Sequence, residues 1–246
     1  MKQHHLGKFF NARLPLVLPE KLTLSSVTHG DGKLRITAIQ KRVYTERRPE
    51  YDEQKETEIG ERITLKAHVH HLTRTLAALE WDLDANVAML QITQLQEDGD
   101  YEELAQQFAE LTKRWLDMKL FSPVGLRQLI HTLYEIEKNS KAEVRSHGID
   151  SRSLQGRRVS VRSPSPRTSV RGEQFLDDAM ESVRKNSVGH LGNFYWLKGI
   201  QPGPALNPLT GEVHVIIVGA KTRVNFPTPN TEDVVRYVLQ RVCALS

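Results

Sequence analysis

Eight apolar residues between Leu65 and Leu90 constrain the fold of this chain more than any other feature. Leu65, Val69, Leu72, Leu76, Leu79, Leu83, Val87 and Leu90 recur at intervals of 4, 3, 4, 3, 4, 4 and 3 residues. Such intervals put side chains on one stripe of an α-helix. The spacing predicts a single helix over 62–96, about 50 Å long at ~1.5 Å per residue, stopped by Asp98-Gly99-Asp100. Asp100 and Glu103 then make an N-terminal pair of the capping-box type. The stripe resumes in Tyr101, Leu104, Phe108, Leu111, Trp115 and Met118. Ser122 and Pro123 suit the N-cap and first position of a third helix, with Leu126, Leu129, Ile130, Leu133 and Ile136 inward. Short turns between striped helices predict an antiparallel three-helix unit over 62–138.

The flanks read as β. Leu22 to Val27 and Leu34 to Val43 are strand candidates joined by His29-Gly30-Asp31-Gly32, a hairpin signal. Phe9 to Leu18 is a further candidate, and residues 50–61 are an exposed acidic stretch. Towards the C-terminus, a helix over Glu173–Lys185 precedes strands at Asn193–Ile200 and Glu212–Gly219 and a short one at Val224–Phe226. Thr231 caps a last helix with Val234, Val235, Val238, Leu239 and Val242 inward. The expected class is α+β, with β-rich N- and C-terminal parts flanking the three-helix unit. Whether the two parts share one sheet stays open. The expected divisions are 1–61, 62–138, a basic Ser/Arg-rich linker over 139–172, and 173–246.

That linker holds the charge. From Lys141 to Arg171 stand eight cations (Lys141, Arg145, Arg152, Arg157, Arg158, Arg162, Arg167 and Arg171) against Glu143 and Asp150. The local excess of +6 surpasses the net +4 of the whole chain. Few apolar residues and many serines predict a mobile strap. A basic strap wants an acidic partner, of which nucleic acid is the commonest. Its serines, Ser160, Ser163 and Ser165 among them, lie between arginines where phosphorylation would cancel charge.

Other motifs carry less. His68, His70 and His71 lack the spacing and third ligand of a metal site. The acids at Glu97, Asp98, Asp100, Glu102 and Glu103 are explained by a helix N-terminus. Gly219-Ala220-Lys221-Thr222 lacks the glycines of a phosphate loop. Cys243 is the only cysteine, which excludes an intramolecular disulfide framework. In Gly189–Trp196, strand alternation predicts Phe194 and Trp196 in the core with Tyr195 outside.

Three functions are expected, in this order. The first is a non-enzymatic nucleic-acid-binding protein, for RNA or DNA, using the eight cations for phosphate contacts. The second is an adaptor that self-associates or docks a protein partner through 62–138. The third is a metal-independent RNA-processing protein using His190, His214, Lys221 and Arg223. No cofactor, metal or membrane is expected. A single cysteine and the lack of a long apolar run suit a cytoplasmic setting, or a nuclear one in a eukaryote.

Overall fold

A computed structural model describes residues 18–95, 99–139, 143–198 and 209–246. The fold is α+β with β-rich N- and C-terminal parts. The chain divides into two compact units, 1–122 and 123–246.

The N-terminal unit is built on a four-stranded antiparallel sheet in the order β1-β2-β5-β6. Its strands are β1 (Thr23–Gly30), β2 (Lys33–Arg47), β5 (His68–Asp82) and β6 (Val87–Ile92). The expected first hairpin is present. Asp31 and Gly32 both take positive φ, 50° and 68°, in the two-residue loop that suits the right-handed twist of paired strands. β2 and β5 pair continuously from Lys33↔Asp82 to Arg47↔His68. Beyond their far end, β3 (Glu53–Glu56) and β4 (Arg62–Leu65) form a small exposed hairpin.

The helix expected over 62–96 is not there, and neither is a three-helix unit. Residues 62–65, 68–82 and 87–92 are strands. The competing signal has a period of two: Thr73, Thr75, Ala77, Leu79 and Trp81 alternate along β5. Ala77, Leu79 and Trp81 pack with Leu34, Ile36, Ala38 and Phe108. The members of the supposed stripe scatter instead. Leu65 lies in β4, Leu83 falls in the turn after β5, and Leu72 is 60% exposed. The turn at Asp82–Asn86, with Asn86 at φ 53°, breaks the run where a helix would have continued. Helix α1 (Tyr101–Thr112) does form, and the Asp100 side chain accepts from the backbone N–H groups of Glu102 and Glu103. It lays Phe108 on the sheet.

The C-terminal unit holds a separate five-stranded sheet, so the N- and C-terminal strands do not share one. Its order is β11-β10-β9-β7-β8, from β7 (Val144–Ser153), β8 (Arg158–Arg162), β9 (Ser187–Trp196), β10 (Val213–Val218) and β11 (Arg223–Asn225). Helices α2 (Leu126–Asn139), α3 (Gln174–Lys185) and α4 (Glu232–Leu245) share a core with one face of it. Leu129, Ile130 and Leu133 meet Ile149, Phe194, Trp196, Val215 and Ile217 in that core. Phe194 and Trp196 are both 0% exposed, and Tyr195 lies on the other face, as the alternation predicts.

The mobile strap is also corrected. Most of its length is β7, β8 and a segment pinned to β7. The Ser163 N–H donates to the His147 carbonyl at 2.9 Å and the Val170 N–H to the Ser146 carbonyl at 2.9 Å. Composition misled because small polar residues fill core positions of β7. The buried Ser146 N–H donates to the Glu137 carboxylate at 2.9 Å, and the buried Ser151 hydroxyl meets His131 Nε2 at 3.3 Å. Polar side chains of α2 thus satisfy the Ser146 backbone N–H and the Ser151 hydroxyl, while the Ser146 hydroxyl has no hydrogen-bond partner among the described residues. Lys141 and most of the Phe9–Leu18 strand candidate lie outside the described residues.

Candidate nucleic-acid interface

Cross-strand neighbours share a face of a sheet. The register therefore assigns the side chains of the face opposite the helices. One row is Arg145–Tyr195–His214 across β7, β9 and β10. The next is Arg162–Gly148–Asn193–Ile216–Asn225. A third is Ser160–Asp150–Leu191–Val218–Arg223, and a fourth Arg158–Arg152–Val188.

The first row is an aromatic platform. The Tyr195 and His214 rings stack at 4.7 Å between centroids and 11° between planes. The Arg145 guanidinium lies 5.1 Å over the Tyr195 ring. His147, the extra residue in a β7 bulge between Ser146 and Gly148, meets Tyr195 edge-on at 5.9 Å. His214 Nε2 is 3.2 Å from Asn193 Oδ1. Burial, and then the nearby His147, pull the His214 pKa below its ordinary value, so the ring is held neutral at pH 7. Asn193 belongs to the second row as well. A methyl group on Gly148 would sit 3.6 Å from its Nδ2 and 3.7 Å from Arg162 Nε, so the missing side chain leaves these two groups facing across β7.

The expected phosphate contacts divide into two sets. Arg145 is committed to the protein: it donates twice to Glu212, at 2.9 and 2.6 Å, and once to the Pro166 carbonyl at 3.1 Å. Those bonds raise its pKa further and lower that of Glu212. Arg171 is committed too. It lies 4.0 Å over the Tyr134 ring, donates to the Tyr134 carbonyl at 3.0 Å and pairs with Asp177 at 3.6 Å. Arg158 pairs with Asp150. Arg152, Arg157, Arg162 and Arg167 are exposed, and among the described residues none forms an ion pair. Arg152 stands directly opposite Arg158, a like-charge pair that costs stability unless an anion relieves it; Asp150 relieves one member only.

The residues expected for RNA processing do not converge. His214 is on the platform, whereas His190 is the extra residue of a β9 bulge, between Gly189 and Leu191, at the opposite end of the face. Its pKa is lowered by burial and then by Arg152 and Arg158. Lys221 lies in the 3-10 turn after β10, and Arg223 is two rows from His214. The two glycines of β9 serve packing rather than a ligand. A Cβ at Gly189 would come within 2.6 Å of the Arg127 carbonyl of α2, and one at Gly192 within 2.3 Å of the Phe194 ring. Sequence reasoning missed His147 and Asn193. The one available signal was the polar alternation Arg158-x-Ser160-x-Arg162, which marks a strand with one wet face.

Among the described residues, no group of three or more His, Cys, Asp or Glu side chains is placed to hold a metal ion, and no helix is long and apolar enough to cross a membrane. Compared with known proteins, the chain matches no family model, no curated protein and no solved structure.

Proposed function

We propose that this protein binds single-stranded nucleic acid on the helix-free face of its C-terminal sheet. The observation that carries the reading is the Arg145–Tyr195–His214 row, an aromatic surface bordered by arginines that the protein leaves unpaired. Tyr195 is held between His214 and Arg145, so a base stacks on the His214 face turned away from Tyr195, without needing a particular sequence. Arg152, Arg157, Arg162 and Arg167 meet phosphates along the β7–β8 side. Arg145 holds the surface rather than the ligand, and Arg171 is tied to α2 and α3 instead. The adaptor reading loses its support, because its docking stripe over 62–138 depended on a helix where strands β4, β5 and β6 run. A cytoplasmic setting is part of the proposal and rests on the single cysteine, Cys243.

The test is fluorescence anisotropy of the full chain with a labelled mixed-sequence single-stranded RNA, and with DNA of the same sequence, over a salt series. Affinity falls linearly with salt on a log–log plot, by about 0.7 per phosphate contact on a single strand. Replacing Arg152, Arg157 and Arg162 together by Gln flattens that slope by about 2. Absence of binding at low salt, or a triple variant that binds like the parent, overturns the reading.

A further inference from the structure

We propose that His147 and His214, both set against Tyr195, form an acid–base pair that cleaves single-stranded RNA without a metal. This rests on the binding reading above and goes beyond it, because a stacking platform needs no proton-transfer groups.

Several observations converge. His147 and His214 stand on β7 and β10, the strands either side of β9, so about 10 Å separates their backbones. Both rings nevertheless lean on the single Tyr195 ring between them, at 5.9 and 4.7 Å. His147 reaches it from a bulge, a device that re-aims a side chain at some cost to strand pairing. Its Nδ1 is buried and has no hydrogen-bond partner among the described residues. His214 is oriented instead: with the Asn193 amide oxygen accepting, Nε2 carries the proton and Nδ1 keeps a lone pair. Arg162 faces Asn193 across Gly148, where it meets a phosphate lying over that row.

The step balances without any further reactant. His214 Nδ1 takes the proton of a ribose 2′-hydroxyl, and the 2′-oxygen bonds to the adjacent phosphorus. The bond from phosphorus to the 5′-oxygen breaks, and the His147 ring gives a proton to that oxygen. The products are a 2′,3′-cyclic phosphate and a 5′-hydroxyl, and Arg162 offsets charge that develops on the phosphoryl oxygens. Proton exchange with water restores both rings. Burial keeps His214 unprotonated, the form in which Nδ1 can accept a proton. The charged and titratable groups facing the pair are Tyr195 on β9, Arg145 on β7, Arg162 on β8 and Glu212, which precedes β10 and is bound to Arg145; Arg223 of β11 lies two rows away.

The experiment incubates the full chain with the labelled mixed-sequence RNA and an excess of chelator, and follows binding and cleavage separately. The expected result is cleavage that leaves cyclic phosphate and 5′-hydroxyl ends. In single-turnover reactions, with protein in excess over each variant's own Kd so that lost stacking on the row is not read as lost chemistry, His147→Gln and His214→Gln each slow it by about 10²–10⁴-fold. Each variant's melting curve is recorded to confirm that it folds. DNA of the same sequence, which lacks the 2′-hydroxyl, is bound and left intact, and this result does not depend on any variant. RNA bound but uncut overturns the cleavage proposal and leaves the binding reading standing. RNA not bound at all removes both. Cleavage that stops with chelator, yields 3′-hydroxyl ends, or persists in both histidine variants also overturns the proposal.

Discussion

Two charged hairpins, one in each unit, handle their charge in opposite ways. The outer part of the β2–β5 hairpin with the small hairpin at its end, residues 41–71, carries seven Lys/Arg and seven Asp/Glu. It spends many of them internally: Arg47 on Asp52, Arg48 on Glu46 and Glu50, Lys55 on Glu53, and His71 on Glu46. The β7–β8 hairpin, residues 144–162, carries five arginines against Asp150 alone. The charge left over stands on a sheet face beside an aromatic row. Charged residues alone therefore do not single out the proposed interface; the proposal rests on charge that the fold leaves uncancelled next to a stacking surface.

The largest expected effects fall on the two cores and ask whether the units are separable. Phe108 is fully buried on the N-terminal sheet. Phe108→Ala costs about 3–5 kcal/mol of that unit's stability. In a denaturant titration the N-terminal transition moves to lower concentration while nucleic-acid binding persists. Loss of binding in step with that transition would break the assignment of function to the C-terminal unit. Gly189→Ala works the other way. The new methyl meets backbone of α2, not the end of a flexible side chain, so the C-terminal unit loses about 1–3 kcal/mol and binding weakens on heating before the N-terminal unit melts.

Next in size is the comparison of the hairpins themselves. Arg152→Gln, Arg157→Gln and Arg162→Gln in one chain remove three unpaired cations from the proposed interface. Arg42→Gln, Arg62→Gln and Lys66→Gln remove three from the other hairpin. Both changes lower net charge equally. Only the first flattens the salt dependence by about 2; an equal effect from both would mean that net charge, not the sheet face, drives association.

The β1–β2 hairpin, α1, the last two helices and the inward Phe194 and Trp196 were legible because each has a local signal: paired positive-φ residues, a capping Asp, a helical stripe, a strand alternation. The β5–β6 region was not. Its leucines happen to fall three and four apart, and the true period of two is carried by Thr73, Thr75 and Ala77, which contribute little hydrophobic contrast. The basic segment was illegible for a related reason: its apolar core positions, Val144, Ile149 and Val170, are few and widely spaced, and buried Ser146 and Ser151 between them meet Glu137 and His131 of a helix that precedes them. Seven of the eight cations could be placed, yet their division into committed and unpaired sets needs the acids that face them. Glu212, which ties down Arg145, is distant in sequence.

A pH series sharpens the contrast between the units. His131, His190 and His214 all belong to the C-terminal unit, and burial lowers all three pKa values. Below about 6.5 the unfolded chain binds protons at these sites that the folded unit resists. The stability of that unit therefore falls as pH drops through the unfolded value, and levels off above it. The melting temperature of that unit, followed by Trp196 fluorescence in a chain carrying Trp81→Phe and Trp115→Phe, should decline between neutral and mildly acidic pH. His131→Gln should flatten part of that decline, and an unchanged decline would mean that other groups set it.

The smallest effect belongs to the N-terminal hairpin and tests the premise of the whole comparison. Asp52 accepts from Arg47 and from the Ala67 N–H, and these bonds hold its pKa down at about 2. The pair is open to solvent, so Asp52→Asn should leave the melting curve near that of the parent. The informative quantity is the titration. A carboxylate with a depressed folded pKa adds stability above its unfolded value and loses it as pH falls through the folded one. Carbon chemical shifts should therefore show Asp52 ionised well below the ordinary carboxylate range, with Arg47→Gln returning it towards that range. An Asp52 that titrates normally in the parent would mean that the cations of this hairpin are not spent internally. The N-terminal hairpin would then be as free to meet phosphate as the β7–β8 face, and only the aromatic row would still distinguish them.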